Sequence, residues 1–291
     1  MEFYIGCPIW AEKGWVGSLY PAGTKPSNYL RLYSRQLSTV EGNTTFYAVP
    51  SQATLQHWVE ETPDTFRFCP KIPKTISHAG KLMGHLEEAL LFLKVMRTLG
   101  DRLGPCFLQL PPSYHPSMID DLREFLAGWP PEAQLAVEVR HPAWFNAGYH
   151  ATLQEMLASF QMARVIIDTR PIRILEGDKI LRGSVYERLV QARKQKPDLP
   201  VVIEPTASFT FLRYIGHPVA EQNTSFLDEW ADHLAGWLRK GLDAYVFCHC
   251  PDESLDPVLC RELHRRVAAK APISPLPHIT TDSNPTQARL F

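Results

Sequence analysis

Residues 40–50 read VEGNTTFYAVP. Ahead of them stands LSTV, ordinary strand material. Behind them comes SQATLQHWVEE (51–61), which has helical spacing and Ser51 placed as an N-cap. A strand, a polar corner and a helix in that order form one βα unit. The corner holds Glu41, Gly42, Asn43, Thr44 and Thr45, followed at once by Phe46 and Tyr47. It is either a polar turn or the end of a strand that delivers chemistry to one face of a barrel.

The unit repeats in both directions. Strand-like runs occur at FYIGCPI (3–9), STVEG (38–42), FRFCPKI (66–72), CFLQL (106–110), LAVEV (135–139), ARVIID (163–168), FTFLRYI (209–215) and AYVFCH (244–249). Helical patterns alternate with them, among them SNYLRLYSRQL (27–37, Ser27 as cap), LEEALLFLKVMRTLGDRL (86–103) and FLDEWADHLAGWLRKG (226–241). Repeated βα alternation implies a parallel sheet. Roughly eight such pairs in about 270 residues predict a single (β/α)8 TIM-like barrel over residues 1–270. An open doubly wound sheet is the alternative, but GCPIWAEKGW after the first strand is not a GxGxxG phosphate loop. The segment VVIEPTA (201–207) has no assignable place. From Ala271 the sequence turns rich in Pro, Ser and Thr and loses helical periodicity, which predicts a flexible tail over 271–291 ending in QARLF.

Composition limits the function classes. With 45% hydrophobic residues the chain can bury a large core, and a net charge of −1 gives no global attraction to nucleic acid or anionic membrane. No run is long and apolar enough to span a bilayer, and the opening MEFYIGCPIW lacks a signal-peptide pattern, so a cytoplasmic protein with no membrane partner is expected. The six cysteines are then expected as thiols.

In a barrel of this kind the site lies at the C-terminal ends of the strands. Strand parity selects its side chains, because alternate residues face opposite ways. Val137 and Val139 face the helices, so Glu138 and Arg140 face the axis. Phe211 and Arg213 face inward with Leu212 outward, Gln109 shares the face of Phe107, and Glu41 that of Asn43. Lys71 ends strand three. Ionised groups inside a barrel are costly unless paired, so their convergence favours a polar site over a purely structural salt-bridge core. Arg140, Arg213 and Lys71 suit an anionic substrate, assisted by Asn43, Thr45, Gln109 and His217. Glu41, Glu138 and His141 are the candidate catalytic acid–base groups. No nucleophile motif is present.

A divalent metal is a weaker reading. Glu41, Glu138, Asp168, His141, His217 and His249 are all ligand types, and CHC at 248–250 with Cys7 could hold zinc, but no HExxH or paired CxxC occurs. The sequence does not identify a cofactor. Trp10, Trp15, Tyr20, Phe46, Tyr47 and Trp144 fall in loops after strands, where they either cap the barrel or offer a stacking wall.

Taken in order, YIGCPIW, VEGNTTFYAVP, FRFCPKIPKTISH, LQLPPSY, VEVRHPAWF, IIDTRP, FLRYIGHP and QARLF resemble the YecE-like family, a group defined as a domain of unknown function. The resemblance implies a TIM-like barrel and supplies no reaction. Around CHCPD the sequence departs from relatives that are richer in Asn, which puts a role for His249 in doubt. Separately, QARLF resembles the Gln-x-x-Leu-Phe motif by which bacterial repair and replication proteins dock on the sliding clamp. Leu290 and Phe291 would fill a pocket there, with Gln287 at its rim. Three function classes follow: an enzyme acting on a phosphorylated sugar or nucleotide, a DNA-repair enzyme or binder recruited by the tail, and a barrel that binds without turnover.

Overall fold

The computed structural model describes residues 1–277. Eight parallel strands form the barrel wall: β1 (Phe3–Cys7), β2 (Thr39–Gly42), β3 (Arg67–Pro70), β4 (Cys106–Gln109), β5 (Leu135–Glu138), β6 (Ala163–Asp168), β7 (Phe209–Ile215) and β8 (Asp243–His249). Their spatial order is β3-β2-β1-β8-β7-β6-β5-β4. β1 joins β8 in register from Phe3 opposite Ala244 to Gly6 opposite Phe247. The remaining seam, β3 to β4, has no ladder. It is stitched by single bridges, Phe68 to Leu103 and Lys71 to Phe107.

The helices return the chain around this wall: α1 (Tyr29–Tyr33), α2 (Gln52–Glu61), α3 (Lys74–Ser77), α4 (Leu86–Met96), α5 (Ile119–Gly128), α6 (Ala147–Ser159), α7 (Gly183–Gln195), α8 (Thr224–Arg239) and α9 (Asp256–Ala268). Ser51 caps α2 by accepting from the Thr54 amide at 3.1 Å. Ser27 caps nothing: Pro26 opens a 3-10 turn over Pro26–Asn28, and α1 starts only after it. No helix in the described residues is long and apolar enough to cross a membrane.

Parallel strands carry apolar side chains on both faces because helices cover the outside and the barrel fills the inside. Outward residues such as Ile5, Val40, Leu108, Val137, Leu212 and Val246 are buried against the helices. Inward residues stack in layers. Tyr4, Phe209 and Tyr245 fill the foot, with Tyr4 and Tyr245 stacked at 4.7 Å. Above them Phe107, Phe211 and Phe247 stack at 4.8–5.2 Å. The third layer is polar, as described below. β1 and β2 approach closely at Gly6, where a Cβ would meet the Thr39 carbonyl oxygen at 1.8 Å, so only glycine fits.

The VVIEPTA segment is neither strand nor helix. Thr206 anchors it beside β6, donating to the Met162 carbonyl at 2.7 Å and accepting from the Arg164 amide at 2.8 Å. Of the segment read as a tail, residues 271–277 are coil laid on the barrel foot, with Ala271 buried and Ile273 and Leu276 packed against the core. Gln287, Leu290 and Phe291 lie outside the described residues. All six cysteines are free and buried.

Candidate active site at the barrel mouth

The inward side chains of the third layer are Glu41, Lys71, Gln109, Glu138, Arg213 and His249, all buried. They come from six different strands or strand ends, so the barrel geometry alone brings them together. Arg213 is the centre. Its Nε and Nη2 donate to Glu41 at 2.8 and 3.0 Å, and its Nη1 donates to Glu138 at 2.8 Å. Glu138 also accepts from Arg140 Nε at 2.5 Å and from Gln109 Nε2 at 2.9 Å. Lys71 Nζ donates to Gln109 Oε1 at 2.8 Å and lies 4.1 Å from the centre of the Phe46 ring. Glu41 accepts from Asn43 at 2.8 Å and faces His249 Nε2 at 3.2 Å. Beneath the cluster, Phe107 presents its ring to the Arg213 guanidinium at 5.1 Å.

The charges set the protonation states. Burial would raise the pKa of both glutamates. Arg213 and His249 nevertheless hold Glu41 well below the ordinary carboxylate range, and Arg140 with Arg213 bring Glu138 to about 2. Burial, reinforced by Arg213, lowers Lys71 to about 8. His249 is brought down to about 4 by burial, against the pull of Glu41. It is therefore a neutral imidazole at neutral pH, and donating from Nε2 leaves its Nδ1 as an acceptor. His78, near Lys71, falls to about 4 by burial and by the charge of Lys71.

One member escaped the sequence reading altogether. Lys196 follows α7 in the long connection to β7, where no periodicity marks an inward residue. Burial lowers it to about 8, and the charges of Arg213, Glu41, Arg140 and Glu138 act on it. Among the described residues its Nζ has no hydrogen-bond or ion-pair partner, and the two terminal nitrogens of Arg140, which is ion-paired with Glu138, donate no hydrogen bond.

Other candidates sit elsewhere. Thr45 is buried beside the mouth but donates to backbone carbonyls of Gly42 and Lys71. His141 caps a 3-10 turn, its Nδ1 accepting from the Ala143 amide, and meets His115 edge-on. His217 accepts from the Val219 amide at Nδ1 and points Nε2 at Asp178, 3.5 Å away, outside the cluster. Asp168 faces outward from β6, gripped by Arg170 and by Trp230 Nε1 at 2.7 Å. Trp15, Tyr20 and Trp144 are core residues that cap the barrel, while Tyr47 is 82% exposed. No group of three or more His, Cys, Asp or Glu side chains among the described residues is arranged to hold a metal.

The order of these motifs along one barrel can be compared with known proteins. The family described as "Protein of unknown function DUF72" matches residues 4–281. The chain belongs to the DUF72 family. It is 35% identical to the UPF0759 protein YecE of Escherichia coli K12, over 99% of both chains, and 29% identical to the UPF0759 protein YunF of Bacillus subtilis 168, over 84% of this chain and 86% of that one. Two solved DUF72 structures share the fold. That from Enterococcus faecalis V583 superposes with a TM-score of 0.67 at 15% identity, covering 94% of this chain and 98% of its own. That from Thermotoga maritima MSB8 gives 0.66 at 19% identity, covering 92% and 100%. DUF72 membership thus agrees with the eight-stranded barrel and assigns no chemistry to its mouth.

Proposed function

We propose that the mouth binds an anionic small molecule and that the protein is an enzyme acting on a phosphorylated substrate. The observation that carries this reading is the charge balance. Lys71, Arg140, Lys196 and Arg213 gather around two carboxylates, and the donors of Lys196 and the outer donors of Arg140 have no partner among the described residues. Free donors on cations at the barrel mouth suit phosphate or carboxylate.

Roles within the site follow from the protonation states. Arg213 is occupied by Glu41 and Glu138, so it organises the cluster rather than contacting the ligand. The two glutamates, held ionised, are poor proton donors at neutral pH and suit electrostatic stabilisation of positive charge. Lys71 is better matched to proton transfer, because a lysine brought near 8 can both give and take a proton. Asn43 and Gln109 hold the carboxylates in orientation.

Arg140→Ala tests the reading. A charge-assisted hydrogen bond is worth about 1.5–3 kcal/mol, so anion affinity measured by calorimetry is expected to fall by roughly 10- to 150-fold. Glu138 keeps Arg213 as a partner, so the thermal midpoint should hardly move. Unchanged affinity for sulfate, phosphate and phosphorylated sugars would sink the proposal and favour a barrel that binds a different class of ligand without turnover.

A second reading rests on QARLF alone. Docking on a bacterial sliding clamp through Gln287, Leu290 and Phe291 would make the barrel a DNA-repair accessory. Deleting residues 287–291 is expected to abolish binding of the full chain to the clamp in a surface-resonance assay. A full chain that shows no clamp affinity at micromolar concentration removes this reading.

A further inference from the structure

Beside the mouth lies a cavity of about 300 Å³, between α7 and the turn that follows β8. Much of its wall is apolar, from Pro8, Ala192, Ile215, Cys250 and Pro251. Lys196 and His249 stand on that wall, and His249 also belongs to the charged layer through Glu41. Lys196 is rooted by its backbone. Its amide donates to the Ala192 carbonyl at 2.8 Å, its carbonyl accepts from Arg173 at 2.8 Å, and the next carbonyl, of Pro197, accepts from Thr169 at 2.9 Å. The side chain therefore leaves a fixed point, while its Nζ meets no partner among the described residues. An ammonium carries three N–H donors and is strongly hydrated, so an apolar wall serves it poorly. A neutral amine or an iminium nitrogen has fewer donors to satisfy. Burial accordingly lowers Lys196 to about 8, with Arg213 and Arg140 adding to the effect and Glu41 and Glu138 opposing it. A lysine desolvated beside other cations is the form in which an amine becomes a nucleophile near neutral pH.

We infer that Lys196 is a nucleophile that forms an imine with the carbonyl carbon of an anionic aldehyde or ketone, whose carbon chain occupies the cavity and whose anionic group lies on Arg140 and Lys71. The inference rests on the anion reading of the mouth and deepens it by naming the reacting group of the substrate. The neutral Nζ attacks the carbonyl carbon, and the π pair of the C=O bond moves to oxygen. A proton passes from the nitrogen to that oxygen, with the free Nδ1 of His249 as relay, which gives a carbinolamine. A second proton, from solvent, lets the hydroxyl leave as water while the nitrogen lone pair closes the C=N bond. Amine, carbonyl and one proton thus become iminium and water, with no oxidant or reductant. Glu41 and Glu138, whose charges act on Lys196, stabilise the cation that results. An iminium draws electrons from the neighbouring carbon, which suits a substrate that reacts at the position next to its carbonyl.

Reductive trapping of the full chain tests this at about pH 8, where about half of the Lys196 side chains are neutral. The probes are glyceraldehyde 3-phosphate and dihydroxyacetone phosphate, with uncharged glyceraldehyde as the control. Borohydride reduces an iminium to a secondary amine, and peptide mapping by mass spectrometry locates it. At least one phosphorylated probe is expected to label Lys196 at concentrations that leave the exposed Lys94 and Lys240 unmodified. Sulfate should suppress the label, and uncharged glyceraldehyde should give about tenfold less of it, the loss of one anion contact. Lys196→Arg should abolish it. Calorimetry with sulfate on the unaltered chain separates the inference from its premise. Sulfate binding without a label at Lys196, or with one no stronger than at Lys94 and Lys240, overturns the imine and leaves the anion site standing. A label at Lys196 that uncharged glyceraldehyde matches and sulfate does not suppress overturns the anionic substrate. Absence of both sulfate binding and label overturns the two together.

Discussion

Arg213→Met is expected to destabilise the barrel by about 3–5 kcal/mol, because it leaves two buried carboxylates without their shared partner. Glu41 and Glu138 are almost wholly buried, and Arg213 bridges them from β7. Methionine roughly keeps the volume and removes the charge, so the loss is electrostatic rather than a cavity. At about 2–4 °C per kcal/mol for a chain of 150–250 residues, the thermal midpoint should drop by on the order of 10 °C. The pH dependence gives the sign. In the native protein the glutamates have lowered pKa values, so their stabilisation is present above the ordinary carboxylate pKa and is lost as pH falls toward about 2, the value of Glu138. Without Arg213 burial dominates at Glu41, whose pKa rises above its unfolded value, while Arg140 and Lys71 still hold Glu138 down, so the variant should lose less stability in acid than the native protein does. Adding Glu41→Gln to Arg213→Met should recover part of the loss, since the two positions share one interaction. A variant of native stability would show that the cluster does not hold the barrel mouth.

The second large effect is on ligand affinity. Lys71 and Lys196 both lie near 8. Each goes from mostly charged to mostly neutral between about pH 7 and about pH 9, which costs an anion about tenfold in affinity per lysine and about a hundredfold for both. Sulfate is the suitable probe because its own charge is constant over this range. The unliganded protein should respond with the opposite sign. Its lysines bind fewer protons folded than unfolded between about 8 and about 10.4, so stability rises with pH there while sulfate affinity falls. Calorimetric affinities that stay flat across this interval would remove both lysines from the anion site.

Much of this arrangement was legible because strands obey a period of two. Glu41, Gln109, Glu138 and Arg213 could be placed on the barrel axis from their apolar neighbours alone, and the structure puts them in one layer. His249 obeys the same rule with Tyr245 and Phe247, yet the cysteines on either side drew attention to zinc instead. Lys196 was not legible. It lies in an irregular connection, where no alternation states which way a side chain points. His141 and His217 show the converse. Each stands just past a strand end, but a local backbone amide claims the ring's Nδ1.

The pairing of β1 with β8 also has a consequence for biosynthesis. Of the strands, β1 leaves the ribosome first, and the neighbour that closes its outer edge leaves last. Until then Phe3–Cys7 offers open backbone groups and apolar side chains to any passing strand, the situation in which chains aggregate. The nascent protein thus spends most of its synthesis with an exposed sticky edge, and a ribosome-associated chaperone that shields the first strand would raise the yield of closed barrels.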